Sequence, residues 1–380
     1  MKKIIILILI LFITTGCTDY RELTDMAIIS NVALDKVDDK YNIIIQVLDS
    51  KKNENGSSNP SIVLYQSSGK TLFEAFRNIS LESSKKLYTG HINTFIVTEN
   101  LLNEGASNFI DFVLRNSEIR KDFNLLITNN NINEIMNIIP PLSIPSEKIT
   151  NSLEISSKYQ GMVDIISFDK FISNIYMVGI DPVLPSLEIK NIKSDDEDIN
   201  PTKRLVLKKE MGIFNDDIFK GYISKDASLG LNILNNKDTS SIITFKCDNK
   251  NYSSVELINA IPKLTVDINS NKLYIELNIT ATLDELNCNI DITNDNGINL
   301  LKDKFNNRVY EILKSTIKEQ KDNNVDYLGI GRYIYQNNYK FYELNQDDID
   351  NIITNLNEII NINTTFTEKT TIRNGDEKYW

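Results

Sequence analysis

The stretch Lys272–Leu283, "KLYIELNITATL", sets Leu273, Ile275, Leu277, Ile279, Ala281 and Leu283 in strict alternation with polar residues. A period of two buries one face of a strand and leaves the other wet. Sheets with a wet face are as a rule antiparallel, because parallel sheets are covered on both sides and read as continuous apolar runs. The stretch therefore points to an α+β fold. Downstream, Leu301, Phe305, Val309, Ile312, Leu313, Thr316 and Ile317 keep helical spacing within Leu300–Gln320. That pattern predicts a long helix with one face buried, and this sheet is its natural partner.

Working outward, "RLVLKKEMGIFNDDIFKGYI" (Arg204–Ile223) predicts a β-hairpin turning at Asn215-Asp216-Asp217. Ser224 caps an expected helix to Leu234, and strands are expected at Ser241–Cys247 and Leu264–Ile268. "NTTFTEKTTIRNG", from Asn363, alternates and is expected to return to the sheet. In the first half, Ala27–Leu34, Tyr41–Leu48, "SIVLYQSS" (Ser61–Ser68), Ile92–Val97 and Phe123–Thr128 read as strands. Asp49–Ser61 is a polar loop rich in turn-formers. Ala106–Arg115, Asn133–Ile139, Lys148–Lys158 and Ser167–Tyr176 read as helices, with Pro140-Pro141 ending the second.

The charged run Lys193–Lys203, "KSDDEDINPTK", lacks periodicity and reads as a linker. The expected organisation is a signal peptide at 1–16, an N-terminal α+β domain at 17–193 that could hold two subdomains, a linker at 194–203, and a C-terminal α+β domain at 204–380. The expected class is α+β, with mixed, largely antiparallel sheets, packed helices and two to three domains.

Composition narrows the chemistry. The chain has 380 residues, 41% of them apolar, and a formal net charge of −11 without a basic stripe, so it carries no nucleic-acid footprint. With one histidine, His91, and three cysteines, Cys17, Cys247 and Cys288, no ordinary His/Cys zinc site can be assembled. His91 opens an expected strand and reads as a hydrogen-bonded structural residue. Cys247 and Cys288 fit either one disulfide or two buried thiols, and thiols are the preferred reading.

Near-motifs fail on their missing members. Gly69-Lys70-Thr71 ends like a phosphate-binding loop, but Leu64 stands where that loop needs its first glycine. Thr71 and Glu74 instead predict a capping box for a helix through Leu72, Phe73, Phe76 and Ile79. Asp291–Gly297 resembles a calcium loop with its glycine one place late and Lys302 in place of the bidentate glutamate, so it reads as a turn. The acidic run Asp195–Asp198 reads as a solvated loop. Gly329-x-Gly331 lacks a third glycine and reads as packing or a turn. No G-x-S-x-G or H-E-x-x-H is present, and no catalytic residue, cofactor or metal is expected.

The N-terminus carries the one site that can be named. Lys2 and Lys3 precede ten apolar residues, Ile4–Ile13, followed by Thr14, Thr15, Gly16 and Cys17. That is the plan of a secretory signal, and its apolar run is short of the roughly 20 residues that span a bilayer. Ending in Gly-Cys, it matches a bacterial lipobox with Thr14 in the usual leucine place. Cys17 is the expected lipidation site, holding the mature chain to the outer leaflet through diacylglycerol. Loss of residues 1–16 removes Lys2 and Lys3 and takes the charge from −11 to −13. An anionic membrane would repel that charge, which leaves the lipid as the means of attachment.

"GCTDYRELTDMAIISNVALDK" (Gly16–Lys36) resembles the mature start of the Ger(x)C family, the C subunits of spore germinant receptors. Gly16, Cys17, Asp19, Arg21, Glu22 and Leu23 match, and Thr18 replaces the family's tryptophan. The likeness continues in "GKTLFEAFRNIS", "KLYTGHINTFIVTENLL", "FIDFVLRNSEIR" and "EMGIFNDDIFKGYI". "VDYLGIGRYIYQNN" resembles the Phe-Leu-Gly-Phe-Gly block, with Tyr327 and Ile330 in the aromatic places, and "TTIRNG" resembles the closing strand.

The resemblance implies a non-catalytic lipoprotein on the outer face of the spore inner membrane. It would work beside two integral-membrane subunits in germination triggered by small nutrients such as amino acids, with ligand-binding residues unassigned. The family fold is α+β, with mixed sheets and helices in three domains. The alternative is an extracytoplasmic solute-binding lipoprotein of an importer, a class built from two lobes with parallel sheets.

Overall fold

The computed structural model describes residues 25–48, 62–138, 140, 145–161, 163–192, 202–235 and 240–367. The expected signal peptide, Cys17, the loop at 49–61, the acidic run Asp195–Asp198, nearly all of the linker at 194–203 and the closing "TTIRNG" lie outside these residues.

The first sheet has nine strands: β1 (Met26–Val37), β2 (Lys40–Leu48), β3 (Ile62–Gly69), β4 (Lys86–Tyr88), β5 (Thr94–Thr98), β6 (Asn124–Thr128), β7 (Val183–Ile192), β8 (Thr202–Asn215) and β9 (Ile218–Ile223). Their order is β3-β2-β1-β5-β6-β7-β8-β9, with β4 alongside β1. The outer hairpins pair antiparallel, while β1, β5, β6 and β7 run parallel. Turn chemistry fixes the hairpins. Asp38 and Asp39 both take positive φ, +49° and +59°, joining β1 to β2 through the two-residue turn that the strand twist favours. Asp216 (φ +53°) does the same between β8 and β9. β7 and β8 pair from Val183↔Ile213 to Ile192↔Thr202, across the stretch read from sequence as a linker.

The central strands are buried on both faces, which is why Ile43–Ile45 and Leu125–Ile127 read as continuous apolar runs rather than alternating ones. One face packs against α1 (Leu72–Asn78), α2 (Glu99–Leu102), α3 (Ser107–Arg115) and α6 (Phe168–Tyr176). Phe95, Phe109, Phe123 and Phe168 form a chain of rings with centroids 4.3 to 5.8 Å apart. The opposite face, with Ala33, Ile44, Ile96 and Leu126, packs on α4 (Ile132–Asn137) and α5 (Pro145–Gln160). A polar ladder crosses that layer: the Asn31 amide donates to Gln46 Oε1 at 2.9 Å, and Gln46 Nε2 donates to the Met136 carbonyl at 2.8 Å.

The second sheet has the order β10 (Ser241–Lys246), β11 (Tyr252–Asp267), β12 (Lys272–Leu286), β13 (Asn357–Phe366). β12 contains the alternating stretch, and Leu273, Ile275, Leu277, Ile279 and Ala281 are all buried as expected. It lies between antiparallel β11 and parallel β13. α8 (Asp295–Asn323) covers this face with Leu301, Phe305, Val309, Ile312, Leu313 and Ile317. α7 (Lys225–Leu234), capped by Ser224, crosses α8 so closely that a Cβ on Gly230 would stand 2.1 Å from Thr316 Oγ1. Arg308 of α8 holds both carboxylate oxygens of Asp226 at 2.7 and 2.8 Å. One hydrophobic cluster runs from Ala33 and Leu126 through α5 to the second sheet and α8. Among the described residues no helix is long and apolar enough to cross a membrane.

Three expectations are corrected. β11 begins at Tyr252 rather than Leu264: a bulge at Ile258 interrupts its alternation, and the stretch before it carries Ser253 and Ser254 in place of apolar residues. His91 lies exposed in a turn, and its strand starts at Thr94. Cys247 and Cys288, read as thiols, form a disulfide with Cα atoms 5.5 Å apart, closing the end of β10 onto the segment before α8.

Candidate functional site

The expected features sort by what their side chains touch. The Thr71 hydroxyl accepts from Glu74 N at 3.1 Å, and Glu74 Oε2 accepts from Lys70 N at 2.7 Å, so Gly69-Lys70-Thr71 is a helix start. Asp291 Oδ1 accepts from Thr293 N at 2.9 Å ahead of the α8 cap, Asn294, and is a turn residue. Among the described residues no group of three metal-ligating side chains occurs.

What the sequence reading left as a packing glycine pair is a densely hydrogen-bonded polar turn. After α8, the segment Val325–Gly331 leads into α9 (Ile330–Asn337), which continues in α10 (Tyr339–Leu344) and α11 (Ile349–Thr354). Asp326 is buried, and its two oxygens accept from Ile330 N at 2.9 Å and Gly331 N at 2.6 Å. The side chain thus caps a helix from inside the protein. Gly329 takes φ +69°, a left-handed conformation that glycine adopts without steric cost and that lets the chain turn back over its own aspartate.

This turn clamps onto the segment that leads into β7. Asp326 N donates to Asp181 Oδ2 at 2.6 Å, Asp181 N donates to the Asp326 carbonyl at 3.0 Å, and Asp216 N in the β8–β9 turn donates to Asp181 Oδ1 at 3.0 Å. Arg332 N donates to the Gly179 carbonyl at 2.6 Å. Gly179 (φ +73°) is so close to α9 that an added Cβ would stand 2.4 Å from Arg332 N. From the α8 side, Tyr327 donates to the Thr316 carbonyl at 2.5 Å and Leu328 N to Gln320 Oε1 at 2.9 Å. One carboxylate pair therefore ties the nine-stranded sheet, the β8–β9 turn and the α8–α9 corner together.

Burial raises Asp326 to about 7; the Asp181 and Asp350 charges add to the rise, while the Gly331 and Ile330 N–H groups oppose it. Burial also raises Asp181 and Asp350. Three carboxyls with raised pKa at one joint make a charge-sensitive clamp. Sequence reasoning found Gly329 and Gly331 but missed Asp326. The available signal was an acid three residues before the first glycine and immediately ahead of a helix.

The first half of the chain, residues 19–189, matches the family model described as spore germination protein N-terminal domain, and residues 209–374 match spore germination B3/GerAC like, C-terminal. Spore germination protein KC of Bacillus subtilis (strain 168) is 23% identical over 91% of this chain and 90% of its own length. Spore germination protein B3 of the same organism is 24% identical over 43% of this chain and 45% of its own length. Among solved structures, the GerBC protein is similar with a TM-score of 0.50 and 13% identity, over 88% of this chain and 96% of that one, which shares the α+β fold. With both halves matched in order, the chain belongs to the spore germination B3/GerAC-like family.

Proposed function

We propose that the chain is the C-type subunit of a spore germinant receptor, a binding and scaffolding module that performs no catalysis. The observation that carries this reading is the match of both halves, in order, to the two spore germination domain models. In this reading the chain is held to the outer face of the spore inner membrane by diacylglycerol on Cys17 and works beside integral-membrane subunits that respond to nutrients. The lipobox pattern at Gly16-Cys17 supports the anchor. The Asp181–Asp326 clamp suits a subunit that must keep a fixed shape against its partners, since it ties the first sheet to the α8–α9 corner through hydrogen bonds.

Metabolic labelling with a tagged palmitate tests the anchor. The native chain is expected to carry label and to sediment with spore membranes, and Cys17→Ala to lose both. A Cys17→Ala chain that stays labelled and membrane-bound contradicts it.

A further inference from the structure

β13 forms one edge of the second sheet: β12 pairs with one side of it, and no described strand pairs with the other. Its hydrogen bonds tell the two sides apart. Asn357 N donates to the Asn271 carbonyl at 3.0 Å and Thr367 N to the Ala281 carbonyl at 2.9 Å, both on the β12 side. Backbone groups of successive residues alternate between the two sides of a strand. The odd-numbered residues therefore serve β12, and the N–H and C=O groups of Ile360, Ile362, Thr364 and Phe366 point to the open edge. These groups have no partner among the described residues.

A free row of backbone groups is a template for another strand, and native edges are as a rule blunted by lysine, proline or a bulge. β13, "NEIININTTF", has no lysine and no proline, and its register with β12 is unbroken. Its one charged side chain, Glu358, is taken by Lys321 at 3.1 Å. The helix flank beside the edge tells what the template suits. Thr364 Oγ1 donates to Asn306 Oδ1 at 2.6 Å, so a row of α8 through Asn306, Tyr310, Lys314 and Lys321, at helical spacings, runs along β13. Tyr310 is 40% exposed, and Lys314 holds its Nζ 5.9 Å from the centre of that ring. Lys314 is exposed and has no ion pair among the described residues.

We propose that the open edge of β13 docks an extended segment of a partner protein by strand addition, with alternate side chains apolar over Tyr310 and acidic against Lys314. Backbone pairing supplies the affinity and the alternate side chains the specificity. A basic segment would set like charge against Lys314. The proposal does not rest on the receptor reading, because binding is measured on this chain with a synthetic strand.

The test follows backbone amides of the full chain, held in detergent micelles, by hydrogen exchange. In the free chain the Ile360, Ile362 and Thr364 amides should exchange about tenfold faster than those of Ile359, Asn361 and Asn363, the worth of one backbone hydrogen bond. The blocked peptide Thr-Val-Thr-Glu-Thr-Val-Thr should protect the fast set saturably. The same peptide with lysine in place of glutamate should bind about threefold more weakly, as expected for one exposed ion pair. Lys314→Glu, at an exposed position where folding is not at risk, should reverse the order of the two peptides. Three results overturn the proposal: no saturable protection by either peptide, a preference unchanged in Lys314→Glu, or the fast set already protected before peptide is added. Protection that grows with chain concentration alone also overturns it, since the occupant is then a second copy of the chain.

Discussion

Asp326 shows how a single residue can join distant parts of a chain and leave a pH signature. Its pKa in the folded protein is about 7, against an ordinary value of 3.8. The folded state therefore holds a proton that the unfolded chain releases above pH ~4. The stabilising contribution is fully present below the unfolded pKa and is lost as pH rises to about 7, and Asp181 and Asp350, also raised, act in the same direction. Urea unfolding midpoints should thus fall between pH 5 and pH 8. Asp326→Asn should reduce that slope and also lower stability at pH 5 by about 1–3 kcal/mol, because one of two helix N–H groups loses its acceptor. A slope unchanged in Asp326→Asn would place the titration elsewhere. Gly179→Ala tests the same joint sterically. A methyl group 2.4 Å from Arg332 N at φ +73° should cost roughly 2–4 kcal/mol, measured by the same unfolding.

At the level of elements, the disulfide and the close helix crossing set the stability of the second sheet. Cys247–Cys288 closes a loop with a sequence separation of 41, and constraining the unfolded chain over that span is worth about 4 kcal/mol. Cys247→Ser with Cys288→Ser should lower the thermal midpoint accordingly, and the native chain under denaturant without reductant should offer no free thiol from either residue. Gly230→Ala, which would press a methyl group against Thr316 in α8, should destabilise by roughly 1–3 kcal/mol in the same melt. The elements that sequence foretold are those whose burial follows one period, such as β12, α8 and the Ser224-capped α7. β11 was half hidden because a bulge at Ile258 interrupts its period, and the disulfide because pairing depends on a distance that spacing does not encode. Asp326 left only a faint signal, an acid three residues before Gly329, because the chain from Gly179 to Asp181 closes over it only in the fold.

Over the whole molecule, two sheets share one continuous hydrophobic cluster, and the carboxylate clamp at Asp181 and Asp326 ties their supporting segments together. Both halves match spore germination domain models, and spore germination protein KC of Bacillus subtilis (strain 168) aligns along 91% of the chain. The family was legible from seven short blocks in order, two of which hold left-handed turn positions, Gly329 and Asp216. The most direct test of the receptor assignment is dipicolinic acid release from spores of the native strain, a strain lacking this chain, and a strain carrying Cys17→Ala, each given a panel of nutrients singly. The account predicts that the deletion abolishes or sharply slows the response to at least one nutrient class, and that Cys17→Ala slows the same class while protein level holds. Normal release from the deletion strain to every nutrient, with no other receptor of this family in the genome, would contradict it.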